Sequence, residues 1–229
     1  MLTSLEKHLQ LIIERLNENN WAKDNHNSKK EIQKFLIHNT GCFVSTPGYI
    51  RVLELISQDL LNNQNSIEWL NYFSQIRCAF FLQSVGIKVT AFEKEGIEGK
   101  VVDLELNNNI LCEVKSFKPK LDYPKESIQS TDAVFDFFLK NKLIRAFEEQ
   151  KADVLIVDDI FSDNSKIYHF LNYFLSFIKY PETDRYSIIK KKLRNYLPKI
   201  MVLSFTQSMV FNPTIRFRGQ EWNKLMLVN

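Results

Sequence analysis

Asp103, Glu113 and Lys115 are the residues of this chain whose types and spacing could do chemistry. They lie in Val102-Asp103-Leu104-Glu105-Leu106-Asn107-Asn108-Asn109-Ile110-Leu111-Cys112-Glu113-Val114-Lys115, where apolar and polar residues alternate on both sides of an Asn triplet. Alternation marks a half-buried strand, and Asn tolerates the left-handed backbone of a tight reversal. With residues 107–109 as the loop, Leu106 pairs with Ile110 and Asp103 faces Glu113. Lys115 then shares a face with Glu113, while Val102, Leu104, Cys112 and Val114 point the other way. Two carboxylates opposed across a strand pair repel. A divalent cation between them would turn that repulsion into a reason for the arrangement.

Asp103 and Glu113 offer hard oxygen ligands of the kind that suit Mg²⁺ or Mn²⁺, cations that keep several waters and also bind phosphate oxygens. The Val114 carbonyl is a further candidate ligand. A cation there could polarise a scissile phosphate and make a water more acidic. Lys115 would approach the same water or the charge developing on phosphorus. The plain structural alternative is a solvated hairpin face carrying a Glu–Lys pair.

The elements that must hold these side chains can be read from periodicity. Helical stripes run over residues 3–18, 29–38 and 49–61, with 21–28 polar and turn-like. Asn62-Asn63-Gln64-Asn65 marks a boundary, and Ser66 is a natural N-cap for a helix over 67–84 that stops at Gly86. A strand over 87–92 and a turn over 93–100 lead into the hairpin. A basic, Pro-containing loop (118–126) and a long helix (131–150) follow. Residues 152–159 read as a strand buried on both faces. Helices over 167–180 and 187–196, a strand over 200–205 and an irregular or edge segment over 215–228 complete the chain. This string predicts an α/β fold: a mixed central sheet flanked by helices, with an N-terminal helical region (1–65) ahead of the main domain (66–229).

Composition agrees with a globular protein. Of 229 residues 45% are hydrophobic, and 18 Phe supply bulk for a core, while six Gly and six Pro are too few for a loop-rich all-β chain. The net charge of +3 permits nucleic-acid binding without arguing for it. Cys42, Cys78 and Cys112 show no CxxC or paired spacing and predict reduced, buried thiols in a cytoplasmic protein. The N-terminus lacks a signal-peptide pattern, and no apolar run approaches the ~20 residues of a membrane span. The four His are scattered without zinc-type spacing, and no phosphate-binding or dinucleotide glycine motif occurs.

Asp103 followed by Glu113-Val114-Lys115 resembles the motif of the PD-(D/E)XK nuclease superfamily, and the element order over about residues 66–160 is similar to its shared restriction-endonuclease-like core. That resemblance implies a metal-dependent endonuclease that hydrolyses phosphodiester bonds, with Mg²⁺ or Mn²⁺ as cofactor. DNA is favoured as substrate, RNA stays open, and a homodimer would serve duplex cleavage on both strands. Val102 stands where the superfamily's name has Pro. The segment from Gln75 to Gly86 is similar to the first core helix of Holliday-junction resolvases, where the Gln75 position often carries Glu. Glu68, two turns earlier on the same face, is the other helix candidate. Gln150 is similar to a Gln some members hold near the site. The alternative is a catalytically inactive module of this fold that binds nucleic acid or a protein partner.

Lys118, Lys120 and Lys125 follow the motif directly and are candidate phosphate contacts. Lys190, Lys191, Lys192 and Arg194 form a basic cluster for which a solvated helix face is the simpler reading. Arg216 and Arg218 alternate on an extended segment. The aromatic series Tyr168, Phe170, Tyr173, Phe174, Phe177 and Tyr180 has helical spacing, which favours packing over base stacking. Asp153, Asp158 and Asp159 read as solvated strand ends.

Overall fold

The computed structural model describes residues 3–95, 99–117, 139–160, 175–176, 179, 188–205 and 213–227. Its centre is a six-stranded mixed sheet in sequential order: β1 (Val89–Glu95), β2 (Val101–Leu106), β3 (Ile110–Phe117), β4 (Val154–Ile160), β5 (Ile200–Phe205) and β6 (Thr214–Arg218). The first three strands form an antiparallel meander, β3, β4 and β5 run parallel, and β6 returns antiparallel at the far edge. Asn107–Asn109 close the β2–β3 reversal as one 3₁₀ turn, and Asn109 takes the left-handed backbone (φ 59°). The predicted register follows: Leu106 pairs with Ile110 and Leu104 with Cys112.

Helices cover both faces. On one lie α1 (Ser4–Leu16), α2 (Asn20–Asp24), α3 (His26–Asn39), α4 (Tyr49–Asn62) and α5 (Trp69–Ser84). Their apolar side chains join Phe92, Leu104, Cys112, Val114, Val154, Ile156, Met201 and Leu203 in one continuous core. Packing therefore runs unbroken across residue 65. On the opposite face a π-helical turn (Leu139–Ile144) runs into α6 (Arg145–Glu148), and α7 (Ile188–Arg194) packs beside it against Leu155, Val157, Ile200 and Val202. Val154, Leu155, Ile156 and Val157 are all buried, as their unbroken apolar run predicts for a strand sandwiched by helices.

Residues 21–28 are not a turn: α2 and α3 span them, because Trp21 is buried and meets Trp69 edge-to-face at 5.6 Å. The strand read over 87–92 continues through Glu93 to Glu95. The segment over 215–228 resolves into β6 and α8 (Gln220–Leu227). Trp222 anchors α8, fully buried with its indole N–H on the Lys199 carbonyl at 3.0 Å. A Cβ at Gly219 would lie 2.3 Å from the Pro198 carbonyl oxygen, so only glycine allows this approach. Cys42 is exposed rather than buried; Cys78 and Cys112 are buried. Asp158 is no solvated strand end. It is fully buried and accepts two 2.6 Å hydrogen bonds from the Arg77 guanidinium of α5, also fully buried. Lys192 is engaged by Glu148 at 2.7 Å. The loop over 118–126, the first turns of the 131–150 helix and the aromatic series over 168–180 lie outside the described residues.

Candidate active site

Helix α5 is the first element of the site. It begins at Trp69 with Glu68, not Ser66, at the N-cap position and without a side-chain cap from that residue; Asp59 Oδ2 of α4 accepts from the Trp69 N–H at 2.9 Å, and Ser66 Oγ accepts from the Glu68 N–H one step earlier at 3.1 Å. It ends before Gly86, as predicted. Apolar residues all round its axis hold it between α4 and the sheet, and Arg77–Asp158 ties it to β4. This fixed helix brings Gln75, only 3% exposed, to the point where β2 and β3 cease to pair.

The β2–β3 ladder runs from Leu106↔Ile110 to Leu104↔Cys112. Beyond it the carboxylates take over from backbone pairing. Asp103 Oδ2 accepts from the Val114 N–H at 2.7 Å, and Glu113 Oε2 accepts from the Asp103 N–H at 3.2 Å. Each acid thus bonds the backbone of the opposite strand, which holds the two side chains across from each other as the loop length predicts. The Lys115 ammonium donates to Glu113 Oε1. Gln75 Nε2 donates to Asp103 Oδ1 and to Glu93 Oε1, each at 2.7 Å.

Burial raises the pKa of every acid in this group. Glu113, 1% exposed, is pushed up from 4.5 to about 7 by burial and then by the charge of Asp103, against the pull of Lys115. Burial raises Asp103 too, opposed by Lys115 and by the Val114 N–H. Glu93 is raised by burial and by Asp103. Lys115 is the cation that acts on all three acids, and its pull does not outweigh their burial.

These groups line a cleft of about 380 Å³. Asn71 and Tyr72 of α5 form one wall, and Lys142 of the π-helical turn, Arg145 of α6 and Gln150 just beyond it form another. Asn71 is fixed by Ser116, whose hydroxyl donates to its Oδ1 at 2.6 Å.

Asp103, Glu113, Val114, Lys115, Gln75 and Gln150 meet in the cleft. Glu68 does not: it is exposed at the start of α5 and accepts from Asn71 Nδ2 at 2.8 Å, so it steadies a cleft wall. Lys118, Lys120 and Lys125 lie outside the described residues. Sequence reasoning missed Glu93, which the pairs Phe92↔Leu104 and Lys94↔Val102 bracket opposite Asp103. A tight β1–β2 connection would have exposed it. Lys142 and Arg145, three apart on one helix face, were also missed.

Asp103 and Glu113 make a donor set suited to a hard cation. Two carboxylates with waters and phosphate oxygens satisfy Mg²⁺, which seldom uses an all-protein cage. Among the described residues no three His, Cys, Asp or Glu side chains are arranged to hold a metal. A further fit comes from Gln75 Oε1, a buried acceptor without a hydrogen bond. Leaving such a group unsatisfied costs about 1–3 kcal/mol, which a ligand could offset. Gln150 Oε1 is in the same condition.

Comparisons of the chain with protein-family models, with curated proteins and with solved structures found no match. The class that the fold itself defines is a mixed α/β protein with a six-stranded sheet. Among the described residues no helix is long and apolar enough to cross a membrane.

Proposed function

We propose that this chain is a metal-dependent endonuclease that hydrolyses phosphodiester bonds, with DNA as the favoured substrate and a restriction-endonuclease-like core formed by α5, β1, β2, β3, α6 and β4. One observation carries the reading: the two acids lock onto each other's strand where the ladder ends, with an amine on one of them, inside an open polar cleft. The sheet order β1-β2-β3-β4, an antiparallel meander followed by a parallel strand, supports the fold assignment.

Asp103 and Glu113 would hold Mg²⁺ or Mn²⁺, with the Val114 carbonyl as a further candidate. When bound, the cation supplies positive charge for phosphate oxygens and acidity for a water. Lys115 donates to Glu113; released from it, the ammonium is placed to donate to the attacking water or to a non-bridging phosphate oxygen. Water oxygen adds to phosphorus as the P–O ester bond breaks, and charge that grows on phosphate oxygens meets Lys115. Lys142 and Arg145 give the opposite wall two cations for flanking phosphates. Cutting both strands of a duplex would call for two copies of the chain, hence a homodimer.

The test is supercoiled plasmid incubated with purified protein and Mg²⁺ or Mn²⁺. Wild type should nick it, and Glu113→Ala and Lys115→Ala proteins should not. A wild type that binds DNA with salt-dependent affinity but cleaves neither DNA nor RNA would instead be a binding module.

A further inference from the structure

Tyr72 and Val101 have no part in the hydrolysis, yet they put apolar surface into a cleft lined mainly by polar and charged side chains. Val101 opens β2, an interior strand, and is still 46% exposed. It precedes Asp103 by two residues and so shares its face of the sheet. Tyr72 stands one turn before Gln75 on α5, and the Gln75 amide donates to Asp103 at 2.7 Å. The Tyr72 ring is half-buried, packed on the core at one side and lining the cleft at the other. Among the described residues no ring stacks on it and its hydroxyl has no hydrogen-bond partner, so the part that meets the cleft is uncommitted. Burial, and then the charge of Glu93, raises its pKa, which keeps the phenol neutral beside an anionic ligand. Lys142 and Arg145 stand on the other wall. The cleft thus divides as a nucleotide does, with flat apolar surface on one side and cations on the other.

We infer that Tyr72 and Val101 form a nucleobase pocket, in which an unpaired base of single-stranded DNA stacks on the Tyr72 ring while the adjoining backbone runs toward Lys142 and Arg145. Inside a duplex each base shows a protein only its edges, in the grooves, because its faces are covered by its neighbours. A ring surface can therefore be used only by a base that has left the stack. The inference rests on the nuclease reading of the same cleft and gives it a substrate class: unpaired DNA, either as single strands or as the locally melted tracts that negative supercoiling favours.

Fluorescence anisotropy of the full chain with short labelled DNAs, in Ca²⁺ in place of Mg²⁺, tests this, with plasmid nicking in Mg²⁺ or Mn²⁺ measured in parallel. Wild type should bind a single strand roughly tenfold more tightly than a duplex of the same length, because stacking reaches only unpaired bases. Tyr72→Ala should lose roughly tenfold on the single strand and Tyr72→Phe little. A strand of abasic sites should bind wild type and Tyr72→Ala alike, since it keeps the phosphates and has no base to stack. Val101→Ser should cost roughly threefold on the base-bearing strand only. Thermal melts show that each variant folds; if Tyr72→Ala does not, the abasic strand and Val101→Ser decide. Equal affinity for single strand and duplex, or the same loss on abasic and base-bearing strands, overturns the nucleobase pocket, and nicking by that same protein keeps the nuclease. No binding to either DNA overturns the pocket likewise. A Tyr72-dependent preference for the single strand, without nicking under any condition, upholds the pocket and sinks the nuclease.

Discussion

Replacing Glu113 by glutamine should make the cation-free protein more stable at pH 8, while barely changing it at pH 5. In the unfolded chain Glu113 loses its proton near 4.5; in the folded protein, burial and Asp103 keep it protonated up to about 7. An acid with a raised folded pKa contributes stability in full below 4.5, and that contribution drains away as pH rises through about 7. At about 1.4 kcal/mol per pKa unit, the loss over the window is about 3 kcal/mol, a large part of a typical domain's stability. Glutamine is neutral at every pH and mimics the protonated acid. Asp103 and Glu93 are also raised, so both proteins should weaken with rising pH. The difference between their slopes isolates Glu113. Urea unfolding at pH 5 and pH 8 with a chelator present gives both slopes. Adding Mg²⁺ should flatten the wild-type profile and leave that of Glu113→Gln nearly as it was. Parallel profiles for the two proteins in chelator would refute the reasoning, because Glu113 would then titrate alike in folded and unfolded chains.

Other substitutions test the frame around the site. Arg77→Met strands the Asp158 carboxylate in the core and should cost about 3–5 kcal/mol in urea unfolding, whereas Arg77→Met with Asp158→Leu should recover most of it. Gly48 has φ 79°, and a Cβ there would sit 1.9 Å from the Phe92 carbonyl oxygen. Gly48→Ala should therefore lower stability by at least about 2 kcal/mol; a melting temperature equal to wild type would show that the Pro47–Gly48 turn does not clamp β1. Asn109→Gly should be near neutral and Asn109→Val should cost about 1–2 kcal/mol by thermal melt, because Asn109 holds a left-handed backbone.

The hairpin was legible because loop length sets strand register. Once Asn107–Asn109 form the reversal, Leu106↔Ile110 follows, and Asp103 must come opposite Glu113. The buried run Val154 to Val157 was equally plain. Local pattern failed where distant residues decide. Asp158 looks like a strand end on sequence alone, and only Arg77, arriving from α5 across the sheet, makes its burial tolerable. Glu93 was hidden because β1 continues through a left-handed residue, while Phe92 hands its N–H to Pro47 of the N-terminal region at 2.8 Å. The helix at Trp21 and the one at Trp222 each depend on a tryptophan finding a pocket that no local periodicity reveals. Lys142 and Arg145 reach the cleft because the π-helical turn and α6 pack over the sheet, a tertiary placement with no local signature.

The account stands or falls on a cation displacing the proton and the amine at Glu113. Anomalous diffraction from crystals of the full chain grown in Mn²⁺ locates that cation directly. The predicted result is a peak bonded to Asp103 and Glu113, with the Lys115 ammonium moved off Glu113. Saturating Mn²⁺ that leaves Lys115 on Glu113 and shows no peak at either acid would contradict it.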